Sequence, residues 1–271
     1  MEAWWQGLTE RFSDRTLFAF SSLLHSAVFF GLNFLLHLAH RRNLFQRYKI
    51  QKHKYPSPEL LRKALWNVVP KHVTAPVVLW LTWPVFQMCG VHTDSFPSML
   101  EVVGHIFVYI IIQDTLFYWS HRLLHTSKWL YKNVHKQHHE FYTPVGISAE
   151  YAHGLEDFFN TTAMLAGPLL LGCHLFTLWV WVFLRIWETV DAHSGYSFPL
   201  WLSPWSLLEV ADSHDFHHSH NQGSFGSFFG TWDWLMGTDV AFNEWKKKQT
   251  AAPTTSDRPK EKKIDADAKN K

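Results

Sequence analysis

Apolar residues in this chain come in long unbroken runs, not in the strict alternation of strands. Residues 17–38, LFAFSSLLHSAVFFGLNFLLHL, carry no Asp, Glu, Lys or Arg over 22 positions. That is enough helix to cross a hydrocarbon core of about 30 Å. The next segment, 40–54, is rich in Lys and Arg and holds no acid. Such a loop is retained on the cytosolic side and can touch anionic lipid. A second run at 73–90 is interrupted by Pro76 and Pro84, which a membrane helix tolerates when its neighbours satisfy the freed backbone groups. A short polar loop leads into a third run at 99–119, so these two runs predict a hairpin. Gly167, Pro168 and Gly172 break the last apolar stretch and predict a second hairpin, 155–172 and 174–190. Parity requires it: a single crossing would strand the last polar histidines on the far side of the bilayer. The predicted fold is all-α, an integral membrane helical bundle with a cytosolic His-rich di-metal cap. Residues 1–120 are the N-terminal membrane spans with the basic cytosolic loop. Residues 121–244 are a His-rich catalytic region that includes the second hairpin. Residues 245–271 are Lys, Asp, Ala, Thr and Pro with little to bury, and predict a disordered polar tail.

Composition sharpens this picture. Of 271 residues, 19 are His, 15 Trp and 22 Phe. Trp and Tyr suit the membrane–water boundary, where one end of the ring is wet. A mean hydropathy of −0.13 hides the apolar runs behind the His clusters and the polar tail. The net charge of +2 gives no electrostatic case for nucleic acid. Cys89 and Cys173 form no C-x-x-C and suggest neither a disulfide framework nor a thiolate metal site. The first run lacks the flanks of a cleavable leader, so it is expected to be retained. Asn160-Thr161-Thr162 matches a glycosylation sequon, expected to be unused at its predicted location.

The chemistry concentrates in three clusters. His121 and His125 are four apart; His135, His138 and His139 read H-x-x-H-H; His214, His217 and His218 repeat that spacing. On a helix, positions three and four apart share a face, so each cluster is expected to aim two or three imidazoles at one point. Random placement at this His frequency gives roughly a tenth of an H-x-x-H-H per chain. A lone His is usually a satisfied core or surface residue, but eight in three such clusters are expected to hold two metal ions. An all-imidazole set leaves iron, zinc, copper and nickel open. His153 and His193, at the inner ends of the second hairpin, are further candidate ligands. Asp114, Glu150, Asp191 and Asp215 lie near the clusters and are candidates to accept the second N–H of a metal-bound imidazole. His25, His37 and His105 are expected to be structural, with His25 and His37 facing another helix, and His174 and His220 lack the spacing.

These motifs resemble the fatty acid hydroxylase superfamily of membrane di-iron oxygenases. Within it the sequence is most similar to sterol C4-methyl oxidases. HRLLH at 121–125, HKQHHEFYTPVGISAEYAH at 135–153, ETVDAHSGYSFP at 188–199, HDFHH at 214–218 and FFGTWDWLMGTD at 228–239 carry the likeness. It covers roughly 110–245. Ser213 and Gly154 depart from the His and Pro common at those places in the family, and neither change removes a box histidine. The resemblance implies an endoplasmic-reticulum membrane enzyme with cytosolic His boxes, two iron ions, O2 as co-substrate, and electrons from cytochrome b5 and its reductase. The implied reaction takes a sterol C4 methyl to alcohol, aldehyde and carboxylate. Another sterol hydroxylase or a fatty acid hydroxylase of the superfamily is the alternative, and a membrane metal-binding protein without oxidase activity is the alternative from a different class.

Overall fold

The computed structural model describes residues 1–251. Its helices are α1 (Glu2–Thr9), α2 (Asp14–Arg41), α3 (Pro58–Met88), α4 (Met99–Thr126), α5 (Lys128–Asn133), α6 (Gly154–Leu171), α7 (Leu175–Ala192), α8 (Val210–His220), α9 (Thr231–Met236) and α10 (Val240–Ala251). Two short strands, β1 (Val91–His92) and β2 (Cys173–His174), and four short 3₁₀ turns complete the regular structure of the described residues.

The long helices start where local chemistry says they should. Ser13, Ser57 and Ser98 cap α2, α3 and α4 by accepting from the N–H groups of Thr16, Leu60 and Glu101. An acid follows each cap in the first turn (Asp14, Glu59, Glu101), where it opposes the helix dipole. α3 absorbs Pro70, Pro76 and Pro84 and still runs 31 residues.

Both predicted hairpins are present. The α3–α4 turn holds β1 and the α6–α7 turn holds β2. The two pair in parallel, Val91 with Cys173 and His92 with His174. Gly172, at φ +66°, makes the second reversal; a Cβ there would sit 2.8 Å from the Gly90 carbonyl oxygen. Tyr109 of α4 donates to the Gly172 carbonyl at 3.0 Å. Trp5 of α1 donates to the Thr93 carbonyl at 2.8 Å and packs on His174 and Trp179. The turns therefore meet at one end, and the far ends of α2, α4 and α7 converge at the other. There the basic segment folds back on the chain: Ile50 N–H donates to the Gly195 carbonyl and Gln51 Nε2 to Asp215 Oδ1.

Phe18, Trp83, Phe86, Tyr109, Leu178 and Trp181 anchor the core between the long helices. Outside it, Phe34 and Leu35 on α2, Trp66, Val73 and Leu81 on α3, and Leu100 and Phe107 on α4 are exposed. So much exposed apolar surface marks a membrane or partner contact. α2 and α4 are long and apolar enough to cross a membrane. The other predicted runs are helical too, in the latter part of α3 and in α6 and α7, but do not reach that mark among the described residues. The tail predicted from 245 overlaps α10, which continues to Ala251. Residues 252–271 lie outside the described residues.

Candidate metal centre

Four segments bring histidines to the end opposite the turns. His121 and His125 sit one above the other near the C-terminus of α4. His135, His138 and His139 lie on a 3₁₀ turn over His135–Glu140, and His193 ends α7. His214, His217 and His218 lie on α8. Nine of these imidazoles form two groups: His121, His125, His135, His139 and His217 in one, and His138, His193, His214 and His218 in the other.

The sequence expectation that each H-x-x-H-H aims at a single point is corrected here. His135 and His139 go to the first group and His138 to the second; His214 and His218 go to the second and His217 to the first. Adjacent residues of a helix point about 100° apart, so an H-H pair cannot share a focus. Each box spans both groups, in opposite proportion.

In the first group the Nε2 atoms of His125 and His135 are 2.8 Å apart, those of His135 and His139 3.0 Å, and those of His139 and His217 3.1 Å. In the second, His193 and His214 are 2.9 Å apart, His214 and His218 3.2 Å, and His138 and His193 3.4 Å. Donors held about 2.1 Å from one ion lie about 3.0 Å apart along the edges of an octahedron and about 3.4 Å apart in a tetrahedron. The spacing fits one ion per group.

The other ring nitrogen shows why the lone pairs face inward. Nδ1 of His121 lies 3.0 Å from the Phe225 carbonyl, that of His138 3.3 Å from Tyr151, and that of His193 2.8 Å from Thr189. His217 pairs with Gly223 at 2.7 Å and His218 with Phe141 at 3.0 Å. A carbonyl accepts only, so each of these Nδ1 atoms carries the proton and Nε2 is left as the ligand atom. Between His138 and His193 both Nε2 atoms then present lone pairs to each other, which cannot hydrogen-bond and which a shared cation would satisfy. Burial also holds the rings neutral, pushing His138 down to about 4 and His217 to about 3, with His139, His214 and His218 well below the usual imidazole range.

The remaining candidates distribute as follows. His153 stands outside both groups: it is exposed, caps α6, and accepts from the Leu155 N–H at 3.1 Å. None of the four candidate acids hydrogen-bonds any of the nine imidazoles in these two groups. Asp114 accepts from the N–H groups of Ser227 and Phe229, and Asp233 from those of Phe225 and Gly226. Together they fix the loop whose Phe225 carbonyl orients His121. Asp191 faces Ser203, and Asp215 holds Gln51.

Glu150 belongs to a third group, with His25 and His72. His25 Nε2 lies 2.6 Å from its Oε1, and His72 Nε2 2.8 Å from its Oε2. His72 Nδ1 is also 2.8 Å from the Ser26 hydroxyl. Here donors meet acceptors, and no cation is called for. Burial works to raise the Glu150 carboxyl, but the two imidazoles outweigh it and bring it down to about 2. His25 thus faces helix α3, its ring 4.9 Å from that of His72, and meets the Glu150 carboxylate as well, whereas His37 is exposed.

Sequence reasoning missed Glu156, whose Oε1 lies 2.9 Å from His135 Nδ1. It also missed the buried Arg185–Glu188 pair on α7. The second had a signal, two opposite charges three apart inside the apolar run 174–190.

Both groups open on one cavity of about 470 Å³, within the usual range for small-molecule sites. His121, His138, His193 and His214 form its polar floor, and Phe18, Leu79, Phe86, Leu165, Leu178 and Val182 line much of the rest. A second cavity, of about 150 Å³ between α2 and α7, touches none of the grouped histidines.

A helical protein with two buried polyhistidine groups at the base of an apolar cavity is the class that fold and site define. The Fatty acid hydroxylase family model matches residues 106–238, which contain all nine histidines of the two imidazole groups. Methylsterol monooxygenase 2-2 of Arabidopsis thaliana is 43% identical over 255 residues, covering 91% of this chain and 94% of its own. A very-long-chain aldehyde decarbonylase of Oryza sativa subsp. japonica is 41% identical, with the same two coverages. The C-4 methylsterol oxidase of Schizosaccharomyces pombe is 32% identical over 89% of this chain and 83% of its own. No solved structure matches. The chain belongs to the fatty acid hydroxylase family and is an oxidoreductase, with methylsterol monooxygenases among its relatives.

Proposed function

We propose that this protein is a di-iron oxygenase of the endoplasmic-reticulum membrane that uses O2 to oxidise the C4 methyl group of a sterol, stepwise to alcohol, aldehyde and carboxylate. The observation that carries the reading is the junction of both imidazole groups with a single apolar cavity. Relatives named for methylsterols choose the sterol among lipids of that size.

Iron would supply dioxygen activation, which redox-silent zinc cannot. The chain's own residues do the rest. Nine imidazoles would hold the ions, and the five backbone carbonyls on Nδ1 fix the tautomer and angle of their rings. Phe18, Phe86, Leu178 and Val182 keep water from the methyl group. α3 and α6 flank the cavity, joined there by the Lys71–Asp157 ion pair at 2.6 Å. A substrate dissolved in the bilayer would enter between them. The imidazole end faces the cytosol on this reading, beside the basic segment 40–54. That segment is the proposed docking face for the electron donors, cytochrome b5 and its reductase.

The rice relatives favour a second reading, a long-chain aldehyde as substrate. The test is to purify the protein in nanodiscs, measure bound metal, then supply O2, a reductase system and either 4,4-dimethylsterol or a long-chain aldehyde. About two irons per chain with 4-hydroxymethyl or 4-carboxy sterol product is the expected result. Alkane from the aldehyde and no sterol product would overturn it.

A further inference from the structure

The wall of the cavity contains three carboxylates: Glu150, Glu156 and Asp157. Two are committed. Glu150 places one oxygen on each of His25 and His72. Asp157 pairs with Lys71, which also donates to the carbonyls of Glu150 and Ala152. Glu156 differs. It is 3% exposed; Oε1 lies against His135, and Oε2 is buried with no partner.

A buried polar atom without a partner costs on the order of 1–3 kcal/mol, so such atoms in native proteins call for an explanation. Here the atom belongs to a cavity-lining residue in the first turn of α6 whose other oxygen lies 2.9 Å from Nδ1 of His135, a histidine of the first imidazole group. A ligand that would satisfy it brings a hydrogen-bonding group to Oε2, near His135, and is otherwise apolar enough to suit the cavity wall. A 4-methylsterol has that layout, with its 3-hydroxyl on the ring carbon next to the one bearing the methyl. A hydroxyl can donate to a carboxylate or accept from a carboxylic acid, so the match holds in either protonation state.

We propose that Glu156 anchors the substrate: its Oε2 takes the 3-hydroxyl of the sterol while Oε1 steadies His135, so one side chain sets the distance from hydroxyl to metal. Specificity then comes from a buried polar group that only a hydroxyl-bearing sterol can pair. A lipid without the hydroxyl fills the same apolar wall and leaves Oε2 unmatched. This inference rests on the sterol reading above and adds the atom by which the sterol is recognised.

The test is equilibrium binding to the purified metal-loaded protein, without reductant and without O2. The probes are 4,4-dimethylsterol, its 3-deoxy analogue and its 3-methyl ether. The wild type is expected to bind the free hydroxyl roughly tenfold or more tightly than the 3-deoxy analogue. Glu156→Ala should bring that ratio close to one, and Glu156→Gln should keep part of it. Metal content is measured on every sample. A purely structural role at His135 would change metal content and the affinity for all three probes together, and would leave the ratio alone. If neither variant folds, the wild-type series decides, since the ether keeps the size and removes the donor. A wild-type ratio near one, or a ratio unchanged in both variants, overturns the anchor and leaves the sterol reading standing. A wild type that binds none of the three sterols sinks both.

Discussion

By sequence His193 is the stronger and His153 the weaker further candidate, each at the inner end of a hairpin. The structure separates them by what their ring nitrogens face. His193 meets His138 and His214, whereas His153 caps a helix. His193→Ala is therefore expected to lower bound metal from two ions toward one. His153→Ala should keep both and lose about 1 kcal/mol of stability with its cap. Metal analysis of the two purified variants, with thermal melts, reads both outcomes. Burial also makes the grouped imidazoles pH-sensitive in the metal-free protein. A group pushed down on folding binds fewer protons folded than unfolded between its two values, so stability falls as pH falls through that window. For His138 and His217 the window runs from about 6.5 in the unfolded chain to about 4 and about 3 in the folded one. The melting temperature of chelator-stripped protein should be level above about pH 7 and drop steadily below about 6.5. A flat profile down to pH 4 would mean that these rings are not buried without the metal. The box histidines were legible because spacing encodes them. Glu156 was not, because an acid in the first turn of a helix is ordinary, and only the fold shows that one of its oxygens touches His135 and the other nothing.

At the level of elements, the apolar runs foretold the two hairpins and their reversal at Gly172, since composition and glycine placement are local signals. Three things escaped. The 3₁₀ turn at 135–140 did, because H-x-x-H-H has the same spacing whichever helix type carries it. The division of each box between two groups did, because it depends on angle, not spacing. The pairing of the hairpin turns did as well, since two-residue strands leave no periodic trace. That pairing sets a demand on Gly172, whose positive φ and 2.8 Å approach to Gly90 leave no room for a side chain. Gly172→Ala should cost roughly 2 kcal/mol or more. Denaturant melts followed by tryptophan fluorescence measure it, and an unchanged midpoint would show that the turn relaxes freely.

Over the whole molecule, the turns cluster at one end and the imidazoles at the other, with exposed apolar surface between. In a Cys89→Ser background, a membrane-impermeant maleimide should label Lys52→Cys and Lys132→Cys from one face of the bilayer. Asp94→Cys, at the turn end, should react only from the opposite face. Labelling of all three from the same face would show that the long helices do not cross. Two successive hairpins alone put the turns at one end and the histidines at the other, so this arrangement was legible in the sequence. The cavity was not, being made by side chains from helices far apart in the chain.

The exchange of histidines between the boxes has a consequence for assembly. An ion in either group would fasten the 135–139 turn to α8 and so set the remaining imidazoles of both boxes at the other group. The entropy of ordering those segments would fall mostly on the first ion, so the second would meet a site already built. Loading is then expected to be cooperative, with chains holding both ions or neither outnumbering chains with one when metal is scarce.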